Sequence, residues 1–233
     1  MRFLPSLESA VLIKRYKRFL ADVTLLSTGE KLTIHCPNPG SMIGVQTPGT
    51  QIWIRNALNP LRKLAYTWEL SQENNCLVGV NTHLPNLLVS EALTHKSLDP
   101  FISYTSFKKE VSCGKNSRLD FLLTNDQDPP CYLEVKNVHL NINGNAAFPD
   151  AVTTRGTKHL LELIALKEQG YRAIMLYIVQ RSDLRFFTVA EEIDPVYAVT
   201  LKKALHLGVE AFCYSCNVST DGISLGSSLP LNL

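Results

Sequence analysis

Two alternating segments joined by a polar turn constrain this chain most: residues 117–123, with Arg118 and Asp120 set among leucines, and residues 131–138, with Glu134 and Lys136 set among Leu133, Val135 and Val138. Side chains two apart on a strand share a face, so Glu134 and Lys136 point one way while Leu133 and Val135 point the other. If the segments pair as a hairpin across residues 124–130, Asp120 falls beside Glu134. Two carboxylates and an ammonium then surround one point.

Carboxylates that close repel unless a cation lies between them. Mg²⁺ suits such a place, because it binds through one or two carboxylates plus water and substrate phosphate oxygens; Mn²⁺ is the alternative. Lys136 would orient or help deprotonate the attacking water, and the ion would polarise the phosphorus and stabilise the leaving oxygen. These are the parts of a phosphodiester hydrolase. The same pattern also describes a solvated antiparallel strand face with a surface salt bridge, so the neighbouring segments decide.

With 233 residues, 45% of them apolar and 19% charged, the chain has the balance of an ordinary globular protein with one large or two modest domains. The first residues mix Arg2, Pro5, Glu8 and Lys14 with apolar ones, which is not a signal-peptide pattern, and the longest apolar run, 173–179, is too short to cross a bilayer. A cytoplasmic location is expected. The six cysteines sit among apolar neighbours, as buried thiols in a reducing compartment do, and Cys213 with Cys216 has no second pair to complete a zinc site. Residues 1–80 hold nine Lys/Arg against five Asp/Glu, whereas residues 81–233 hold fourteen against sixteen. The positive field belongs to the front third.

Residues 1–80 read as short strands at 11–26, 31–36, 50–55, 65–70 and 76–80, separated by Gly, Pro and Asn turns. That predicts a small β-barrel, with the five-stranded OB type fitting in length. From residue 81 the style changes. A helix is expected over 85–98, strands over 104–112, 118–124 and 132–138, a helix over 154–169, an apolar strand over 173–179, a helix over 195–207 and a strand over 209–214. The fold class expected is therefore α/β (α+β) with two domains, an OB-like barrel at 1–80 and an αβββαβ domain at 81–233. The tail from residue 219 reads as loosely ordered, and the Asn/Gly-rich stretch 141–149 as a loop able to cover the site.

The order αβββαβ, with an acid on the second strand and Glu134-Val135-Lys136 on the third, resembles the PD-(D/E)xK nuclease superfamily, with Leu119 at the dispensable Pro position. Longer strings, from Asn38-Pro39-Gly40-Ser41-Met42 through Arg118-Leu119-Asp120-Phe121 and Glu134-Val135-Lys136-Asn137-Val138 to Phe148-Pro149-Asp150 and Thr154-Arg155-Gly156-Thr157-Lys158-His159, resemble the bacterial sugar fermentation stimulation protein A family over nearly the whole chain. The resemblance implies an OB-type domain, a restriction-endonuclease-like domain, and DNA binding without strong sequence preference. It also implies Asp120 and Glu134 as metal carboxylates, Lys136 as the catalytic lysine, and Glu91 on the first helix as a third metal acid; on pattern alone Glu91 is equally a solvated helix residue. Glu110 is an accessory ligand or a salt-bridge partner of Arg118.

Arg155 and His159 form an i, i+4 pair at a helix start, placed to clamp a scissile phosphate, with Lys158 and Arg118 as further DNA contacts. In the front third, Lys14, Arg15 and Arg18 would track a phosphate backbone while Tyr16 or Phe19 stacks a base or enters the core. Asn38 and Ser41 would donate to phosphate or shape a barrel turn. The expected function is a DNA-binding Mg²⁺-dependent nuclease of low sequence specificity; the competing one is a non-enzymatic DNA-binding regulator on the same scaffold. A homodimer is compatible with either.

Overall fold

The computed structural model describes residues 1–114 and 117–233. The front strands are Glu8–Tyr16 (β1), Leu20–Leu25 (β2), Lys31–His35 (β3), Gln51–Asn56 (β4), Tyr66–Glu73 (β5) and Cys76–Gly79 (β6). The single strand expected over 11–26 is a hairpin, because Lys17 and Arg18 both adopt left-handed backbone (φ 48° and 63°) and turn the chain back. β3-β2-β1-β4-β5 run as antiparallel neighbours, and a β3–β5 pairing at His35 and Thr67 closes the ring. Full closure removes the sheet edges. Ala10, Leu12, Ala21, Val23, Ile34, Ile52, Ile54 and Trp68 fill the interior. This is a five-stranded OB-type barrel with β6 appended.

The second part begins with Leu84–Thr94 (α1), then Ser106–Cys113 (β7), Ser117–Thr124 (β8), Cys131–Val138 (β9), Leu140–Ile142 (β10) and Asn145–Phe148 (β11). Thr154–Glu168 (α2), Arg172–Val179 (β12), Phe187–Val189 (β13), Pro195–His206 (α3), Glu210–Val218 (β14), Ile223–Ser228 (β15) and Leu231–Asn232 (β16) follow. The main sheet runs β15-β14-β12-β9-β8-β7, with β9, β12 and β14 parallel. α1 covers one face through Leu84, Leu88 and Val89, and α2 with α3 covers the other through Leu160, Leu163 and Leu201. β12 has both faces covered, which accounts for its unbroken apolar run.

Two expectations are corrected. The stretch 141–149 is an ordered hairpin, β10–β11, joined to β13 and β16 in a second small sheet. The tail from residue 219 forms β15, antiparallel to β14, and then β16 beside β13. All six cysteines are free thiols, five of them buried. Among the described residues no helix is long and apolar enough to cross a membrane.

The two parts are tied at several places. Residues 1–3 cross to the second domain: Phe3 N–H donates to the Asp221 carbonyl at 2.9 Å, and the Phe3 ring enters the core beneath α1. Gly79 N–H donates to the Gln180 carbonyl at 2.8 Å. Arg181, with no exposed surface, donates to Glu73, to Asp183 and to the His139 carbonyl. The turn 38–42 abuts Asp150, whose carboxylate accepts from Met42 N–H at 2.8 Å and whose carbonyl accepts from Ser41 Oγ.

Candidate active site

β8 and β9 pair as expected, with Phe121 opposite Leu133 and Leu122 opposite Tyr132; one further step in that register sets Asp120 opposite Glu134. The ladder ends before that row, because the Asp120 side chain takes its place: Oδ2 accepts from Val135 N–H at 2.7 Å, and Oδ1 accepts from Asn86 Nδ2 at 2.7 Å. Asn86 lies on the first turn of α1, so the helix start is aimed at this carboxylate. Burial and then the Glu134 charge raise the Asp120 carboxyl to about 6, against the pull of Val135 N–H, Asn86 and Lys136.

Glu134 is 3% exposed. Its Oε1 accepts from Lys136 Nζ at 2.5 Å and pairs with His159 Nδ1. Burial would raise this carboxyl, but the Lys136 ammonium and the His159 ring more than offset it, holding the group below the usual carboxylate range. Glu134 Oε2 is buried with no hydrogen-bond partner among the described residues. A buried carboxylate oxygen left without a donor is costly, and a hard cation satisfies it. Among the described residues no three His, Cys, Asp or Glu side chains gather as a metal cluster. The residues present fit Mg²⁺ on Asp120 and Glu134.

These groups line an open cleft of ≈ 660 Å³ to which the barrel also contributes, through Arg18, Asn38, Pro39 and Gly40. A neighbouring cleft of ≈ 620 Å³ carries Arg118, Arg155, Lys158 and His159, and shares Glu110 and Arg155 with the first. α2 forms its wall, started by Thr153, whose Oγ1 accepts from Gly156 N–H at 3.1 Å. Asp194 at the start of α3 fixes the same turn by accepting from Thr153 N–H at 2.7 Å.

The expected residues separate into groups. Asp120, Glu134, Lys136 and His159 come together. His159 pairs through Nδ1 with Glu134 Oε1, and Arg155 Nε lies 3.5 Å from its Nε2. Arg118, Arg155 and Lys158 line the second cleft together. Glu91 is corrected: its carboxylate is half-exposed and accepts from the Met1 amine at 3.2 Å, and it lines neither cleft. Its position on the α1 face turned toward residues 1 and 223 explains this.

Arg15 is also corrected, because its guanidinium is used within the protein, donating to the carbonyls of Arg18, Asn38 and Gly40 and to Gln46. Asn38 is 2% exposed; its amide donates to the Val80 carbonyl and its oxygen accepts from Gly40 N–H. Both residues help build the turn 38–46. Lys14 pairs with Asp22 at 3.5 Å and lies 5.2 Å from the Tyr16 ring centre. Arg18, at the hairpin tip, is the barrel residue of the expected basic set that reaches the cleft. Phe19 is 49% exposed beside it. Sequence reasoning missed Asn86 and the His139–Asp150 pair (3.4 Å) at the domain junction; Asp150 lies in a quoted string, but Asn86 has no signal beyond its place at a helix start.

An OB-type barrel set against a nuclease-like sheet, with two acids and a lysine in a cleft that both domains line, defines the class of OB-plus-restriction-endonuclease-like proteins. Residues 13–80 match the SfsA N-terminal OB domain and residues 83–222 match the sugar fermentation stimulation protein RE domain. The chain belongs to the sugar fermentation stimulation protein family. Relatives named sugar fermentation stimulation protein homolog include one from Paramagnetospirillum magneticum, 49% identical over 233 residues, covering 100% of this chain and 98% of the relative. Another, from Pseudoalteromonas atlantica, is 47% identical, covering 99% of each. The solved structure of Pyrococcus furiosus SfsA, described as in complex with Ca²⁺, shares the fold with a TM-score of 0.92 at 24% identity, over 100% of this chain and 98% of that one.

Proposed function

We propose that this protein binds DNA with little sequence preference and hydrolyses phosphodiester bonds with Mg²⁺ held by Asp120 and Glu134. The observation that carries the reading is Glu134 Oε2, a buried and unpartnered carboxylate oxygen in the cleft that Asp120 shares. The bound ion would supply Lewis-acid polarisation of the phosphoryl group. Lys136 holds one oxygen of Glu134 and carries an ammonium to the cleft, where it orients the attacking water and meets charge as it develops. His159 fixes Glu134 from behind. Arg118, Arg155, Lys158 and Arg18 border the two clefts with positive charge suited to a phosphate backbone. The Ca²⁺ complex of the Pyrococcus relative supports a site for a hard, oxygen-seeking cation.

The test is incubation of wild type and Lys136→Ala with labelled single- and double-stranded DNA in Mg²⁺, Mn²⁺ or EDTA, read on a denaturing gel. The expected result is metal-dependent cleavage by wild type, a loss of at least about 100-fold in Lys136→Ala, and DNA affinity that is nearly equal. Salt-sensitive binding without product on every DNA would replace this reading by that of a non-enzymatic DNA-binding regulator.

A further inference from the structure

We propose that the barrel carries an anion site of its own, formed by His35, Arg62 and His83, which takes a backbone phosphate of a single DNA strand running out of the Asp120–Glu134 cleft, with Leu58 and Leu61 set against its bases. The inference rests on the DNA-binding reading and adds where the strand goes. The site lies at the seam where the barrel closes. His35 on β3 pairs with Thr67 on β5, and Arg55 on β4 pairs with the same Thr67 from the other side. Arg62, from the loop between β4 and β5, donates through Nη1 to Thr67 Oγ1 at 3.3 Å. Three basic residues thus meet around Thr67.

The acid at this seam, Glu69, is engaged within the protein. It has no exposed surface and accepts from Arg55 Nε and from Asn81 Nδ2, each at 2.8 Å. Asn81 Oδ1 in turn accepts from His83 N–H at 3.0 Å, which seats His83 beside this group. His83 precedes α1 without a side-chain cap bond, and it lines the cleft that holds Asp120 and Glu134. Arg62 therefore meets a hydroxyl where a paired arginine meets a carboxylate, and His35 Nδ1 is buried with no hydrogen-bond partner among the described residues. Burial, and then the charges of Arg62 and His83, lower the His35 imidazole below the ordinary histidine range. At neutral pH its ring is uncharged and offers a single N–H donor. A buried ring nitrogen without a partner, beside a guanidinium bound to a neutral group, is matched by an anion that accepts from both.

The surface beside the seam favours a DNA strand as the source of that anion. Leu58 and Leu61, 72% and 93% exposed, stand in the loop that carries Arg62 and Lys63. Their N–H groups donate to Asn56 Oδ1 at 2.9 Å and to Asn59 Oδ1 at 3.0 Å, so an ordered turn presents both leucines outward. Exposed apolar side chains next to a phosphate contact suit unpaired bases, whose faces need an apolar surface. The basic run on β1 offers less: Lys14 pairs with Asp22, and Arg15 donates to carbonyls of its own chain. Because His83 belongs both to the seam and to the cleft, a strand with one phosphate at Asp120 and Glu134 continues past the start of α1 onto β3 and β5.

The test is fluorescence anisotropy of a labelled single-stranded oligonucleotide of about 16 nucleotides with the full chain, in EDTA so that no strand is cut, over a series of salt concentrations. Arg62→Ala should raise the dissociation constant about tenfold and flatten the dependence of log affinity on log salt by about 0.7, the share of one phosphate contact on a single strand. Arg62→Lys should keep the slope. Leu61→Ser and His35→Gln should weaken binding several-fold with the slope unchanged, since neither removes a charge. Lys203→Ala, on the exposed face of α3, should behave as wild type. Arg62 and Leu61 are exposed, so their variants should melt as wild type does. A wild-type slope in Arg62→Ala would overturn the phosphate site, and wild-type affinity in Leu61→Ser the contact with bases, while leaving the Asp120–Glu134 cleft as it stands. No binding by wild type would overturn the DNA-binding reading with it.

Discussion

At the scale of single residues, Asp120 and Glu134 are two carboxyls on one metal candidate with opposite tuning. Burial and the Glu134 charge push Asp120 up to about 6, while Lys136 and His159 hold Glu134 down. A carboxyl titrating near 6 when folded and near 3.8 when unfolded keeps its proton more tightly in the folded state. Its contribution to stability is present below about pH 4 and is lost as the pH climbs through 6. A cation on Asp120 offsets that loss by favouring the charged form, and below pH 6 the cation must first displace the proton. Mg²⁺ should therefore raise the melting temperature by several degrees at pH 7.5 and much less at pH 5. Calorimetry with and without Mg²⁺ at both pH values reads this directly; an equal shift at the two would mean that Asp120 does not hold the ion.

Among the elements, the turn 38–42 does the most to set the cleft. A Cβ at Gly40 would stand 2.6 Å from Asp150 Oδ2, and that carboxylate has little freedom because Met42 N–H and the His139 ring hold it. Gly40→Ala should cost about 1–3 kcal/mol of stability in urea denaturation, with an unchanged melting curve counting against the contact. The elements themselves were largely legible in the sequence where apolar periodicity and turn chemistry agreed: the barrel strands, α2, β12 and the β8–β9 hairpin. Reading failed where backbone pairing fixes what side-chain pattern does not. The β10–β11 hairpin turns on Asn143 and Gly144, both left-handed (φ 53° and 81°), the Asn-Gly signal of a tight hairpin, hidden within a polar stretch taken for a loop. β15 has Gly226 and three serines among its six residues, too little alternation to mark a strand. That Asp120, Glu134 and Lys136 share one cleft followed from strand periodicity, whereas Glu91 lies outside it, because a helix face is chosen by packing that pattern alone leaves open.

On the scale of the molecule, the junction between the domains is built from buried polar contacts. Arg181 is enclosed there, held by Glu73 of the barrel and by Asp183 and the His139 carbonyl of the second domain. Arg181→Met should cost about 3–5 kcal/mol, since it strands the carboxylates left behind. Chemical denaturation followed by the two tryptophans, Trp53 and Trp68, both on barrel strands, and by far-UV dichroism of the whole chain would show it, with wild type losing both signals together. The path of the first residues adds a consequence for how such a protein can be taken apart. Because Phe3 sits in the core beneath α1, and the barrel runs from residue 8 to residue 79, the barrel is an insertion between two pieces of the nuclease-like domain. A recombinant fragment cut at residue 80 would present an open apolar slot where Phe3 belongs, so the portable cassette is the second domain together with its own short leader, and a chimaera that exchanges barrels must splice at two seams.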